Sequence, residues 1–234
     1  MPESRYFLDS PFKPHAKATL EDEEFHHLSR VMRGNVGDEI ELVNGQGQLA
    51  TARIEKIDKR EAQLAIMNVA THTRSWPPLI LAQAIPRLNR LEFILEKGTE
   101  LGVSEFWLFP GKHSEKESFS QQQQRRMRML IIAAMKQCGR FDLPKIEMKT
   151  LQECRADGEA QTFYGDVREG RPQLPVLDPK RPIIFYVGPE AGFHADEVEM
   201  LESYAVGVSL HPNILRVDTA AIAALSQLSL RIGF

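Results

Sequence analysis

The sequence predicts an α/β fold: a parallel sheet with crossover helices, preceded by a small β-barrel domain. Three observations carry this expectation. From Leu79 onwards, apolar strand-like runs alternate with stripes of helical period, which is the pattern of a parallel sheet. Residues 39–69 instead hold short strands divided by tight turns, the pattern of a small barrel. Between them, Thr71 to Pro78 is polar and ends in Trp76-Pro77-Pro78, a linker composition. The expected domains are therefore residues 1–72 and 73–234.

Glu23 to Met32 is predicted as one short helix that Gly34 stops. Glu39-Ile40-Glu41-Leu42-Val43 alternates as a strand, and Asn44-Gly45-Gln46-Gly47 is a hairpin turn. Ala50–Ile57 and Ala62–Val69 are two more strands, separated by the charged turn Asp58-Lys59-Arg60. Leu79–Ala84 reads as a buried strand, followed by a helix with the stripe Leu88, Leu91, Leu95 and Leu101 that ends at Gly102. Phe106–Phe109 is the next strand, closed by Pro110-Gly111. Met127, Leu130, Ile131, Ala134, Met135 and Cys138 recur at helical spacing up to Gly139. A short strand is expected at Thr162–Tyr164, within a stretch rich in Pro, Gly and charge. Ile183–Val187 and Val208–Leu210 read as buried strands that stop abruptly, with a helix from Asp196 to Tyr204 between them. Thr219 is predicted to cap a last helix with the stripe Ala221, Ile222, Leu225, Leu228 and Ile232.

Composition narrows the function. The 234 residues suit one large domain or a large and a small one. The two cysteines, Cys138 and Cys154, make neither a disulfide framework nor a metal spacing, which fits a reduced cytoplasmic protein. Met1-Pro2-Glu3-Ser4 leads into no apolar stretch, so no signal peptide is expected. No apolar run approaches the ~20 residues of a membrane span. His26-His27 lack companion ligands at fixed spacing, so no metal is expected. The net charge of −3 offers no global attraction to nucleic acid, and an RNA role must rest on local basic patches. Arg30 and Arg33 lie about one helical turn apart and, with Arg5, Lys13 and Lys17, can form such an edge on the barrel. Arg125, Arg126, Arg128 and Lys136 form a second basic face, or simply a solvated one.

Two turns carry the chemistry. Val187-Gly188-Pro189-Glu190-Ala191-Gly192-Phe193 offers close backbone approach at Gly188 and Gly192 and one carboxylate. It is no phosphate loop, because no Gly-Lys-Ser/Thr follows and Pro189 lacks an N–H donor. Leu210-His211-Pro212-Asn213-Ile214-Leu215-Arg216-Val217-Asp218-Thr219 places apolar residues where a loop is ordinarily polar. Ile214 and Leu215 either plug the core or receive a flat apolar ligand such as an adenine ring. Two such loops, side by side at the ends of parallel strands, would make a ligand crevice. In Gln137-Cys138-Gly139-Arg140, Cys138 reads as a nucleophile or a buried thiol, and Arg140 as a phosphate contact or a helix C-cap.

These two turns, together with Gln137-Cys138-Gly139-Arg140, resemble the three signatures of the RsmE-type 16S rRNA uridine N3-methyltransferases. Glu92 to Val103 is similar to that family's first catalytic-domain helix, and His27 to Arg33 to its N-terminal His-x-x-x-Val-Leu-Arg element. The resemblance implies a PUA-like β-barrel that grips RNA, then a SPOUT-type parallel sheet with a C-terminal trefoil knot. It implies a homodimer, S-adenosyl-L-methionine as cofactor, and 16S rRNA, free or within the 30S subunit, as substrate. Carried onto this chain, it assigns the cofactor to Val187, Gly188, Glu190, Gly192, Leu210, His211, Ile214, Leu215 and Thr219. Glu190 and Arg216 become the catalytic candidates, and Arg5, Arg30, Arg33, Arg87 and Arg140 the RNA-binding ones. The chain departs from the family at Ala191 and His211, where glycine is usual, and at Asp218, where glutamate is usual. A non-catalytic RNA-binding protein whose cofactor pocket has closed is the alternative, and an α/β hydrolase of phosphorylated metabolites is a third.

Overall fold

The computed structural model describes residues 5–155 and 158–233, so the opening Met1-Pro2-Glu3-Ser4 lies outside the described residues. The chain divides into two compact units, Met1–Arg74 with Ile132–Leu143, and Ser75–Ile131 with Pro144–Phe234.

The first unit is built on a five-stranded sheet in the order β1-β3-β4-β5-β2. Strands β3 (Glu39–Val43), β4 (Gln48–Ile57) and β5 (Ala62–Thr71) form the expected antiparallel meander. The two flanking strands, β1 (Arg5–Phe7) and β2 (Lys17–Leu20), are too short to show alternation in the sequence. Register shifts at Thr51/Ala52, where β5 carries the extra residue Met67, and at Ile54/Lys56, where β4 carries the extra residue Glu55, bend the two strands, as bulges do, and help the sheet curl. Inward-facing Ile40, Leu42, Ala52, Ile54, Leu64 and Ile66 close on Tyr6, Phe12, Phe25 and Leu28.

The predicted helix Glu23–Met32 is corrected here. Helix α1 (Asp22–His26) gives way after one turn to a π-turn over His27–Val31, in which the Met32 N–H donates to the His27 carbonyl. Ser29 Oγ donates back to the Phe25 carbonyl at 2.8 Å, a competing bond of the kind that loosens a helix. Arg33 then takes left-handed backbone (φ 53°) outside the helix, so Arg30 and Arg33 do not share a helical face.

The second unit holds a six-stranded sheet, parallel throughout, in the order β11-β9-β10-β6-β7-β8. Its strands are β6 (Leu79–Ala84), β7 (Glu105–Phe109), β8 (Lys145–Met148), β9 (Gln161–Gly165), β10 (Ile183–Val187) and β11 (Val206–Val208). Helices α2 (Leu88–Glu100) and α5 (Val217–Ile232) pack together and α5 lies on β6 and β10. The other face is closed by Leu151, Cys154, Leu201 near the end of α4 (Ala195–Glu202), and Ala205 in the turn after it. Gly98 sits mid-helix in α2 because a Cβ there would lie 2.7 Å from the Phe106 ring of β7. Helix α3 (Gln121–Cys138) is shared by the division, its last turns from Ile132 belonging with the barrel.

Strand β11 covers Val206–Val208 rather than the expected Val208–Leu210, helix α4 ends at Glu202 rather than Tyr204, and two helix starts also differ from expectation. Helix α4 begins at Ala195 because His194 and Glu197 form a capping box. Helix α5 begins at Val217 with Arg216 as N-cap, so Thr219 is an exposed first-turn residue and not the cap. The burial of Val217 fixes that earlier start.

Candidate functional site

A cavity of ≈ 590 Å³ lies at the carboxyl ends of β9, β10 and β11. This is the end at which open α/β sheets bind ligands. The two loops singled out in the sequence both line it, but they are not adjacent. Strand β9 is inserted between β10 and β11, and the loop after it supplies a third wall that the sequence reading missed.

The β10 loop needs glycine at two places. At Gly188 a Cβ would meet the Phe193 nitrogen at 3.0 Å and the Gly192 carbonyl carbon at 3.2 Å, both backbone atoms. Gly192 itself is left-handed at φ 75°. Beneath the loop, buried Gln83 of β6 donates from Nε2 to the carbonyls of Val187 and Gly188 at 3.4 and 3.3 Å. Glu190 is turned towards helix α2: its Oε1 accepts the Arg87 backbone N–H at 3.1 Å and lies 3.5 Å from Arg90 Nε. His113 Nδ1 lies 3.0 Å from the Gly192 carbonyl, which requires the proton on that nitrogen.

The β9 loop is organised by a buried carboxylate. Asp166 accepts from Arg168 Nη2 and Arg171 Nε, each at 2.6 Å, and from the Arg168 backbone N–H at 3.0 Å. Glu202 at the end of α4 binds the same two guanidinium groups at 2.7 Å each. Burial pushes the Asp166 carboxyl up, but the Arg168 and Arg171 contacts outweigh it and hold the group below the usual carboxylate range. Burial, with the neighbouring Asp166 charge, raises the Tyr164 phenol to about 12. Hydrogen bonds from Arg168 and Arg171 hold Glu202 low as well.

The β11 loop supplies the apolar wall. Ile214 is 82% exposed and Leu215 half-buried, so neither simply plugs the core. The ring of His211 folds back, its Nδ1 accepting the Asn213 N–H at 3.0 Å. Neither His211 nor Ala191 takes left-handed backbone, so their departures from glycine cost no backbone strain and leave the cavity open. Ser209 N–H donates to the Pro172 carbonyl, tying this loop to the β9 wall.

Of the expected cofactor residues, Val187, Gly188, Glu190, Gly192, Leu210, His211, Ile214 and Leu215 converge on the cavity. Thr219 and Arg216 lie outside its lining, both exposed at the start of α5. The five arginines expected at RNA fall into two groups. Arg30, Arg33 and Arg87 are exposed, Arg87 beside Glu115 at 2.9 Å. Arg5 and Arg140 are largely buried: Arg5 binds Glu41 at 2.8 Å and covers the Phe141 ring, and Arg140 binds Asp142 at 2.6 Å. Cys138 is half-buried, its thiol 3.7 Å from the Met135 carbonyl. Residues missed in the sequence are Asp166, Arg168, Arg171, Gln83 and Arg90. The pairing of Asp166 with Arg168 just past a strand end was the available signal for the first three. Among the described residues, no group of three or more His, Cys, Asp or Glu side chains could hold a metal ion, and no helix is long and apolar enough to cross a membrane.

A parallel sheet with a loop-walled cavity at its carboxyl end, alongside a curled β-sheet unit, has the architecture in which α/β proteins bind nucleotides and other small molecules. The family profiles make this specific: an RNA methyltransferase domain matches residues 74–229 and an RNA methyltransferase PUA domain residues 20–67. The chain belongs to the RNA methyltransferase family they describe. Ribosomal RNA small subunit methyltransferase E of Bacillus subtilis is 28% identical, with 96% of this chain and 95% of that protein covered. The crystal structure of the corresponding Neisseria gonorrhoeae enzyme bound to S-adenosyl methionine is 26% identical with a TM-score of 0.86, over 97% of both chains. A putative methyltransferase of Legionella pneumophila, in complex with the same cofactor, is 28% identical, also at a TM-score of 0.86, over 97% of this chain and 96% of that one.

Proposed function

We propose that this protein uses S-adenosylmethionine to methylate N3 of a uridine in the 16S rRNA of the small ribosomal subunit. The observation that carries the reading is the open cavity walled by the β9, β10 and β11 loops, in a chain of the RNA methyltransferase family. Its volume falls in the range of small-molecule sites. Its walls suit the cofactor's two ends: Leu210, Ile214, Leu215 and Val217 for the adenine, and the Asp166–Arg168–Arg171 wall for the charged amino-acid end. An open cavity also disfavours the degenerate-pocket alternative.

When bound, S-adenosylmethionine supplies an electrophilic methyl group on a sulfonium. The chain's own residues then have two tasks. The first is to hold the uracil in line, which is worth about 7–11 kcal/mol in well-oriented reactions. The base must be splayed out of its stack to reach the site. The second task is the N3 proton and the charge it leaves. Glu190 has Oε1 anchored on α2 and no hydrogen bond to Oε2 among the described residues, so Oε2 is the proton acceptor. Arg216, exposed at the N-cap of α5 and without an ion pair among the described residues, stabilises the developing anion.

RNA is gripped by the first unit through exposed Arg30 and Arg33 and by the second through Arg87, while Arg5 and Arg140 are engaged by Glu41 and Asp142. A trefoil knot in the C-terminal segment belongs to the same reading and follows from the family resemblance. The enzyme works as a cytoplasmic homodimer on assembling or assembled 30S subunits and needs no metal. Primer extension across 16S rRNA tests the substrate, because N3 methylation blocks the pairing edge and stops reverse transcriptase. The stop should vanish in cells lacking this protein, and its persistence refutes the proposal.

A further inference from the structure

The geometry points to Arg90 as a positioning residue: one guanidinium outside the cavity clasps the β10 loop and the first turn of α5, both of which help wall it. Arg90 Nε lies 3.5 Å from Glu190 Oε1 in the β10 loop, and Arg90 Nη1 lies 2.5 Å from Asp218 Oδ1 in the first turn of α5. All three side chains are about a quarter to a third exposed. Glu190 lines the cavity, as do Val217 and Ala220 on either side of Asp218, whereas Arg90 and Asp218 do not. Arg90 therefore acts through the walls, Glu190 among them, and does not itself touch what lies between them.

The placement of Arg90 is costly for its own helix. It occupies the first turn of α2, where the macrodipole disfavours a cation, and that turn holds no acidic residue. The missing negative charge comes from elsewhere in the fold: Glu190 accepts the N-cap N–H of Arg87, and Asp218 faces Arg90. Without the guanidinium, two carboxylates would face each other across the gap between the β10 loop and α5. Their repulsion would splay both walls.

The inference rests on the methyltransferase reading only for the identity of the bound probe. Equilibrium dialysis with labelled S-adenosylmethionine, paired with amide hydrogen exchange of residues 188–193 and 214–219, tests it on the full chain. R90A should weaken binding tenfold or more and speed exchange in both segments. R90K should recover part of each, since it restores the charge but not the fork. R90A/D218N should bind more tightly than R90A, because one of the two repelling carboxylates is gone; an arginine with a merely structural role would make the double variant no better. R90A binding within twofold of wild type, with unchanged exchange, overturns the clasp. If R90A fails to fold, R90K carries the comparison, and full wild-type binding and exchange in R90K overturns the clasp in its turn. If wild-type protein binds no S-adenosylmethionine, the methyltransferase reading falls, and the exchange data alone still decide for or against the clasp.

Discussion

Replacing Asp166 by Asn tests whether the β9 loop is held by charge. The carboxylate is almost wholly buried, with a side chain 5% exposed, and it anchors Arg168 and Arg171 at 2.6 Å each. Breaking a buried ion pair typically costs about 3–5 kcal/mol. Arg168 and Arg171 are 48% and 30% exposed and keep Glu202 as a partner, so much of that cost is recovered by water and by Glu202. A loss of about 2 kcal/mol is the better expectation once this screening is allowed for. For a chain of this length that lowers the melting temperature by about 4–8 °C. Both tryptophans, Trp76 and Trp107, lie in the second unit, so tryptophan fluorescence follows the unit concerned. The pH dependence sharpens the test. Asp166 titrates below its ordinary value, so its stabilisation is present above the unfolded value of about 3.9 and is lost as pH falls through the folded one. The gap between wild type and D166N should hold steady above about pH 5, narrow as pH falls past about 4, and close only below the depressed folded value. Equal melting at neutral pH, or a gap that survives full protonation of the carboxyl, would refute the reasoning.

Three further outcomes are expected. Gly98→Ala gains about 1 kcal/mol of helix propensity but drives a Cβ to 2.7 Å from the Phe106 ring, so tryptophan-detected melting should show a net loss of about 1–2 kcal/mol. Arg216→Ala should lower kcat about 10²-fold while leaving cofactor affinity within twofold, since an anion-stabilising donor acts in the transition state; an equal loss in binding would remove Arg216 from the chemistry. Cys154 is fully buried and burial pushes its thiol up to about 12, so a thiol reagent should label native protein at Cys138 alone, and rapid labelling of Cys154 would contradict the packing.

Much of the fold could be read from local pattern because alternation and helical stripes are local properties. The antiparallel meander of β3, β4 and β5, and the strands β6, β7 and β10, follow from residue order alone. Parallel strand order does not, because the crossovers decide which strands become neighbours. The sequence therefore set the β10 and β11 loops side by side, whereas β9 separates them and its loop brings Asp166 and its arginines to the cavity. The start of α5 is displaced for a similar reason. Thr219 has the chemistry of a cap, but burial of Val217 starts the helix before it.

Arg90 shows that a tertiary role can leave a local trace. Helix α2 opens with Arg87 and Arg90 and no acidic residue in its first turn, against the preference of its own dipole. Sequences that fold well mostly agree across levels, and a local rule broken without local compensation marks a place where something distant supplies the balance. Here the balance comes from Glu190 and Asp218, one from each of the two turns singled out in the sequence. The same reasoning separates the arginines expected at RNA. Arg5 and Arg140 answer to partners inside the first unit, Glu41 and Asp142, and are fixed before any RNA arrives. Arg30 and Arg33 are exposed, so their charge remains available to a phosphate backbone, and removing them should lower the salt dependence of RNA binding while leaving the melting of the protein unchanged.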